Sequence, residues 1–204
     1  MKSSDLVRRA GIAFIAGGAL QIFASLFHGD NNDPNVTLGA FWVPVQLALL
    51  VFYALACVGL VGLDRAQRNK AGKLGLVGFV LATVGSALSI ITSVGFAFLL
   101  PAAARLSPKP VFALLDPAGP FAWLALVTFT YILLFVPGFI LTGVAIIRAR
   151  IFPRWAGALI ALGILVSFIG ASPGGFSVLR AVGGVVFAVG LIGVGNAMWK
   201  GSRV

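Results

Sequence analysis

Few residues in this sequence have side chains suited to acid–base, nucleophilic or metal chemistry. There is one histidine, His28, and one cysteine, Cys57; the five acids are all aspartate, at 5, 30, 33, 64 and 116. A single cysteine rules out thiol-pair redox work within the chain. Metal centres need clusters of His, Cys or carboxylate ligands, and a bis-histidine haem needs a second histidine. A Ser–His dyad would have to use His28, for which the sequence offers no evident acid–base partner, so His28→Ala is expected to be mild. Every lysine lies outside the apolar runs, which removes Schiff-base chemistry of the retinal kind. The expectation is a protein that is not an enzyme and holds no cofactor or metal. The most polar stretch, 28–34, is His-Gly-Asp-Asn-Asn-Asp-Pro. Asp30 and Asp33 could offer oxygens to calcium, but the spacing is not that of an EF-hand, and turn chemistry accounts for the same residues.

What remains is neutral and polar. Counting about 1.5 Å per residue along helices places Gln21, Gln46, Thr92, Ser93, Thr128, Thr130, Tyr131 and Ser167 at similar depths of the apolar runs that contain them. Such a layer could line a ligand pocket, with Gln21, Gln46, Thr92, Ser93, Thr128, Tyr131 and Ser167 as its wall and His28, Asp30 and Asp33 as its mouth. The competing reading is a set of ordinary interhelical hydrogen bonds, each about 0.6 kcal/mol. Gln21 and Gln46 could bond one another or share a cavity. The other half of the runs holds less: Cys57, Thr142 and Asn196.

The elements that must carry this layer follow from composition. Of 204 residues, 60% are hydrophobic and only 10% charged, against roughly 25% charged in ordinary globular chains. Disorder and a soluble domain are both excluded by that balance. Six apolar runs are each near the roughly 20 residues a membrane helix needs: 6–28, 38–63, 74–100, 121–147, 155–172 and 178–199. They do not alternate, so they are helices rather than barrel strands. The expected fold is all-α: a polytopic, six-helix transmembrane bundle forming one domain. The first run is too long for a signal peptide, and no convincing small-residue cleavage site follows it.

Orientation follows from the basic residues. One side of a six-span chain carries Lys2, Arg8, Arg9, Arg65, Arg68, Lys70, Lys73, Arg148, Arg150, Arg154, Lys200 and Arg203; the other carries only Arg105, Lys109 and Arg180. Both termini are therefore expected in the cytoplasm, and the polar layer in the outer half. The net charge of +10 reads as topology, and no nucleic-acid partner is expected. The longest outer connection, 101–120, holds five prolines around Val-Phe-Ala-Leu-Leu-Asp. That segment is either a short element on the membrane or bundle end, or a plain loop.

Small residues recur at four-residue spacing, as in Gly78, Ala82 and Ser86, and fit either packing within the bundle or a homodimer face. Pro137 should kink its helix. A weak repeat, Ala-Gly followed by a glycine six residues on, opens the odd runs at Ala10, Ala71 and Ala156. Arg-Ile-Phe-Pro-Arg-Trp-Ala-Gly at 150–157 and Arg-Arg-Ala-Gly at 8–11 lead into two of these runs. In these motifs and in its topology the chain resembles a group of uncharacterised bacterial six-span inner-membrane proteins. The resemblance implies a bacterial cytoplasmic membrane; the group has no established activity, so no site residue carries over. The expected role is to bind a hydrophobic or amphipathic ligand from the outer side, or to serve as an accessory subunit of a membrane complex; the alternative is a small-solute transporter or channel. Membrane lipids and a homo-oligomer or complex partner are the partners expected.

Overall fold

A computed structural model describes residues 3–171 and 176–201. Lys2, Arg203 and the expected span end at Ser172 lie outside the described residues. The described chain is all-helical. α1 (Ser3–Phe27) leads through a short α2 (Pro34–Thr37) into α3 (Trp42–Ala104); α4 (Pro110–Leu114), α5 (Ala122–Ala149), α6 (Arg154–Ala171) and α7 (Ser177–Trp199) follow. α1, α3, α5, α6 and α7 are long and apolar enough to cross a membrane. Several long apolar helices of this kind mark a multi-pass membrane protein.

α3 has 63 residues and would be about 95 Å long if straight. It is instead a hairpin. Trp42 Nε1 donates to the Phe96 carbonyl at 2.9 Å, and Cys57 Sγ to the Thr83 carbonyl at 3.7 Å, so the two arms run antiparallel. The turn is at Gly72, with φ 59° and ψ −154°. The expected 64–73 connection is thus mostly helix: the first arm runs on through the polar residues after Leu63, helped by the Asp64–Arg68 ion pair one turn apart. That backbone region is essentially open only to glycine. A Cβ at residue 72 would meet nothing within 4 Å, so Gly72→Ala isolates backbone strain. It is expected to cost about 1–3 kcal/mol, seen as a lowered melting temperature in detergent.

The elements close into a ring: α1 packs on α3 and α7, α3 on α5, α5 on α6, and α6 on α7. Small residues set the close approaches. Gly11 faces the Gly195 carbonyl, Gly143 faces Gly157, and Gly163 and Gly183 face the backbone of α7 and α6 respectively. Of the row Gly78, Ala82 and Ser86, the first two lie against Thr142 and Gly138 of α5, with the neighbouring Gly85 against Phe135, and Ser86 is buried with its hydroxyl donating to the Ala82 carbonyl. These residues serve contacts within the chain. The three repeat positions also differ in use: Gly11 and Gly157 permit contact, whereas Gly72 makes a turn. α5 is continuous through Pro137, with Gly138 beside it pressed on the Ala82 backbone.

The core centres on edge-on phenylalanines from three elements. Phe139 and Phe187 stand 5.0 Å apart at 89°, Phe52 and Phe187 6.2 Å apart at 88°, and Phe135 and Phe139 4.7 Å apart. Such offset and edge-to-face pairs are the favoured aromatic geometries. A second cluster, with Trp42, Phe96, Leu100, Leu114 and Leu124 buried together, closes the far end of the hairpin. Leu114 belongs to α4, so the 110–114 segment caps the bundle. We refer to this as the α4 end, opposite the Gly72 turn.

Candidate functional site

Between the helices at the α4 end lies a cavity of about 300 Å³, the lower limit for small-molecule sites, which run from about 300 to 1,000 Å³. Helical periodicity builds it. α1 offers Gln21, Ala24, Ser25 and His28, and the second arm of α3 offers Ser89, Thr92, Ser93 and Phe96. α5 offers Thr128, Tyr131, Ile132 and Phe135, and α6 Ile164, Ser167, Phe168 and Ala171. Each set has i, i+3, i+4, i+7 spacing, which places its members on one helix face. The first arm of α3 adds Gln46, Leu49, Phe52 and Tyr53, and α7 adds Arg180 and Phe187.

All seven wall residues proposed from sequence therefore face one cavity. Thr130, which shares their depth, does not line it; its hydroxyl donates back to the Leu126 carbonyl at 2.7 Å. The two glutamines do not bond one another. Gln21 Nε2 donates to Ser25 Oγ at 3.2 Å, and the Gln46 amide lies 3.5 Å from His28 Nε2. Thr92 and Thr128 hydroxyls are 3.4 Å apart across α3 and α5. Ser167 Oγ donates to the Arg180 carbonyl at 3.2 Å, tying α6 to α7. Tyr53 and Tyr131 both stand edge-on to Phe135, at 5.6 and 6.4 Å.

The mouth differs from the expected set. Asp30 Oδ1 accepts from the Asn32 N–H at 2.9 Å, and Asp33 Oδ1 from the Asn35 N–H at 2.9 Å as the N-cap of α2. Both carboxylates serve local turns, and neither lines the cavity. His28, the third residue of the expected mouth, does line the cavity, and beside it stand Asn31 and Arg180, with Val111 and Leu115 of α4. Among the described residues no group of three or more His, Cys, Asp or Glu could hold a metal.

Arg180 is the residue that sequence reasoning left out of the site, counting it only as one of three outer basic residues. Its Nη1 lies 2.9 Å from His28 Nδ1 and 3.3 Å from Asn31 Oδ1, and Nη2 donates to the Gly29 carbonyl. Gly29 reaches that position through its positive φ of 61°, a left-handed turn at the end of α1 that suits glycine. A guanidinium only donates. His28 Nδ1 must therefore accept, which assigns the ring proton to Nε2; Gln46, whose Nε2 lies 3.5 Å from that ring nitrogen, accepts the proton once its amide is turned to present the oxygen instead. The ring also stands edge-on to Trp42 at 5.4 Å. His28 thus has three partners that its sequence context did not place. The signal available was Arg180 itself, an ionisable residue at the end of an apolar run.

Comparison with protein-family models, with curated proteins and with solved structures finds no match to this chain.

Proposed function

We propose that this is a six-span membrane protein that binds a hydrophobic or amphipathic ligand in the cavity at its α4 end. The observation that carries the reading is the convergence of polar faces from five helices on one space in an otherwise apolar bundle. Packing alone would have been better served by filling that space. The two arms of α3 count as separate spans, giving six. The distribution of basic residues supports a cytoplasmic location for both termini and the Gly72 turn, with the cavity in the outer half. The resemblance at 150–157 favours a bacterial inner membrane. Outward-facing apolar side chains such as Leu126, Leu133 and Leu162, each more than half exposed, fit a lipid surround. A transporter would need a polar path onward to the Gly72 end. The phenylalanines at 52, 135, 139 and 187 pack on one another in the core, which favours binding over conduction.

Orientation is checked with an exposed residue near the turn. Asn69→Cys in a Cys57→Ser background is expected to resist an impermeant maleimide in intact cells and to label after lysis. Labelling in intact cells would invert the topology. Binding is checked by native mass spectrometry of the protein released from membranes. A one-to-one adduct is expected, and it should be missing from a variant with the cavity filled. An identical spectrum from both proteins would count against the reading.

A further inference from the structure

Resting on that binding reading, we infer that the ligand is a single-chain amphiphile with an anionic head group, a carboxylate or phosphate ester, held by Arg180. Among the described residues Arg180 is the only charged side chain on the cavity wall. Its described partners, His28 Nδ1, Asn31 Oδ1 and the Gly29 carbonyl, are all neutral acceptors. Of the acids in the adjoining loop, Asp33 caps α2 and Asp30 accepts the Asn32 N–H; Asp30 is the nearby negative charge that acts on Arg180, yet it forms no ion pair with it, the one carboxylate ion pair among the described residues being Asp64–Arg68, on α3. A half-buried cation in an apolar bundle is costly unless an anion meets it.

The geometry also holds the cation ready. Three described bonds from the α1–α2 loop fix the fork, and three of its five N–H groups are committed to them. The two that remain match the two oxygens of a carboxylate or phosphate, the pairing for which the guanidinium is best suited. Below the head group, hydroxyls of Thr92, Thr128 and Tyr131 give way to the rings of Phe52, Phe135 and Phe187. That gradient from charge to apolar floor is the profile of an amphiphile. A cavity of about 300 Å³ accepts one short chain and excludes a two-chain lipid held whole.

The test is equilibrium binding of radiolabelled decanoate to the purified protein in nanodiscs. Decanol, decyl phosphate, decyltrimethylammonium and acetate serve as competitors. Decanoate and decyl phosphate are expected to compete well, decanol at least about tenfold less well, as the loss of a hydrogen bond to a charged group implies, and acetate hardly at all. Arg180→Gln should weaken decanoate at least about tenfold and leave decanol unchanged, while Arg180→Lys should retain most of the affinity. Equal binding of decanoate and decanol, unchanged in Arg180→Gln, would overturn the anionic head group and leave the amphiphile reading standing. Displacement by acetate at the concentrations at which decanoate binds would overturn the chain and point to a small soluble anion. If Arg180→Gln does not fold, the competitor series on the unmodified protein decides: preference for decyltrimethylammonium over decanoate would overturn the proposal. Saturable binding of none of the probes would remove the binding reading itself.

Discussion

Gly183→Leu is expected to abolish the folded protein. Gly183 of α7 lies against the backbone nitrogen and Cα of Ser167 on α6, and Gly163 of α6 lies against the same atoms of Phe187 on α7. Gly170 in turn abuts the Arg180 backbone. The two helices are therefore in backbone contact along three turns. Overpacking by a side chain costs about 1–3 kcal/mol where neighbouring side chains can shift. Here only helix separation can make room, so the cost should exceed that range. Separation would also move Ser167 and Arg180 off the cavity wall and break the Ser167–Arg180 bond. The expected outcome is aggregation on size-exclusion chromatography and loss of the thermal transition, with Gly183→Ala impaired to a lesser degree. A monodisperse Gly183→Leu protein melting with the parent would show that α6 and α7 are not packed this way.

Ser93→Phe is expected to do the opposite: it should remove binding and keep the fold. Ser93 is buried on the second arm of α3 and lines the cavity beside Thr92. A benzyl group there would enter space that holds no protein atoms and would meet Phe96 and the aromatic floor. Burying apolar area is worth about 25 cal/mol per Å², and one hydroxyl removed from such a bundle costs about 0.6 kcal/mol. The melting temperature should stay level or rise. Binding of decanoate should fall below detection, because a cavity of about 300 Å³ has no room for both. Retained binding in a stable Ser93→Phe protein would place the ligand elsewhere.

The long helices were legible from run length and charge because lipid imposes both. Boundaries were less so. The stretch after Leu63 reads as a loop by polarity, yet the Asp64–Arg68 pair and neighbouring helix formers carry the helix on, and Gly72 alone makes the turn. Depth picked out the seven wall residues, since polar groups at one level tend to meet. It could not separate Thr128 from Thr130, which differ in face and not in depth. Adding the i, i+3, i+4, i+7 rule would have found Ser25 and Ser89 from Gln21, Thr92 and Ser93. Asp30 and Asp33 were placed at the mouth by charge, whereas their short side chains are taken by local turns. Arg180 was hidden for the converse reason: a long side chain acts far from its own Cα, and its partners at 28–31 are about 150 positions away in sequence yet adjacent in the bundle, as short connections and ring closure dictate.

The central claim, that a ligand occupies the interior of the bundle at its α4 end, is tested most directly by mapping where a bound chain lies. A decanoate analogue with a diazirine near its tail, photolysed with the protein in nanodiscs, would mark its neighbours for peptide sequencing. The account predicts saturable labelling at Phe52, Tyr53, Tyr131 or Phe135, suppressed by excess decanoate and absent in Ser93→Phe. Labelling confined to outward residues such as Leu126 and Leu133, rising linearly with probe and unaffected by competitor, would contradict it.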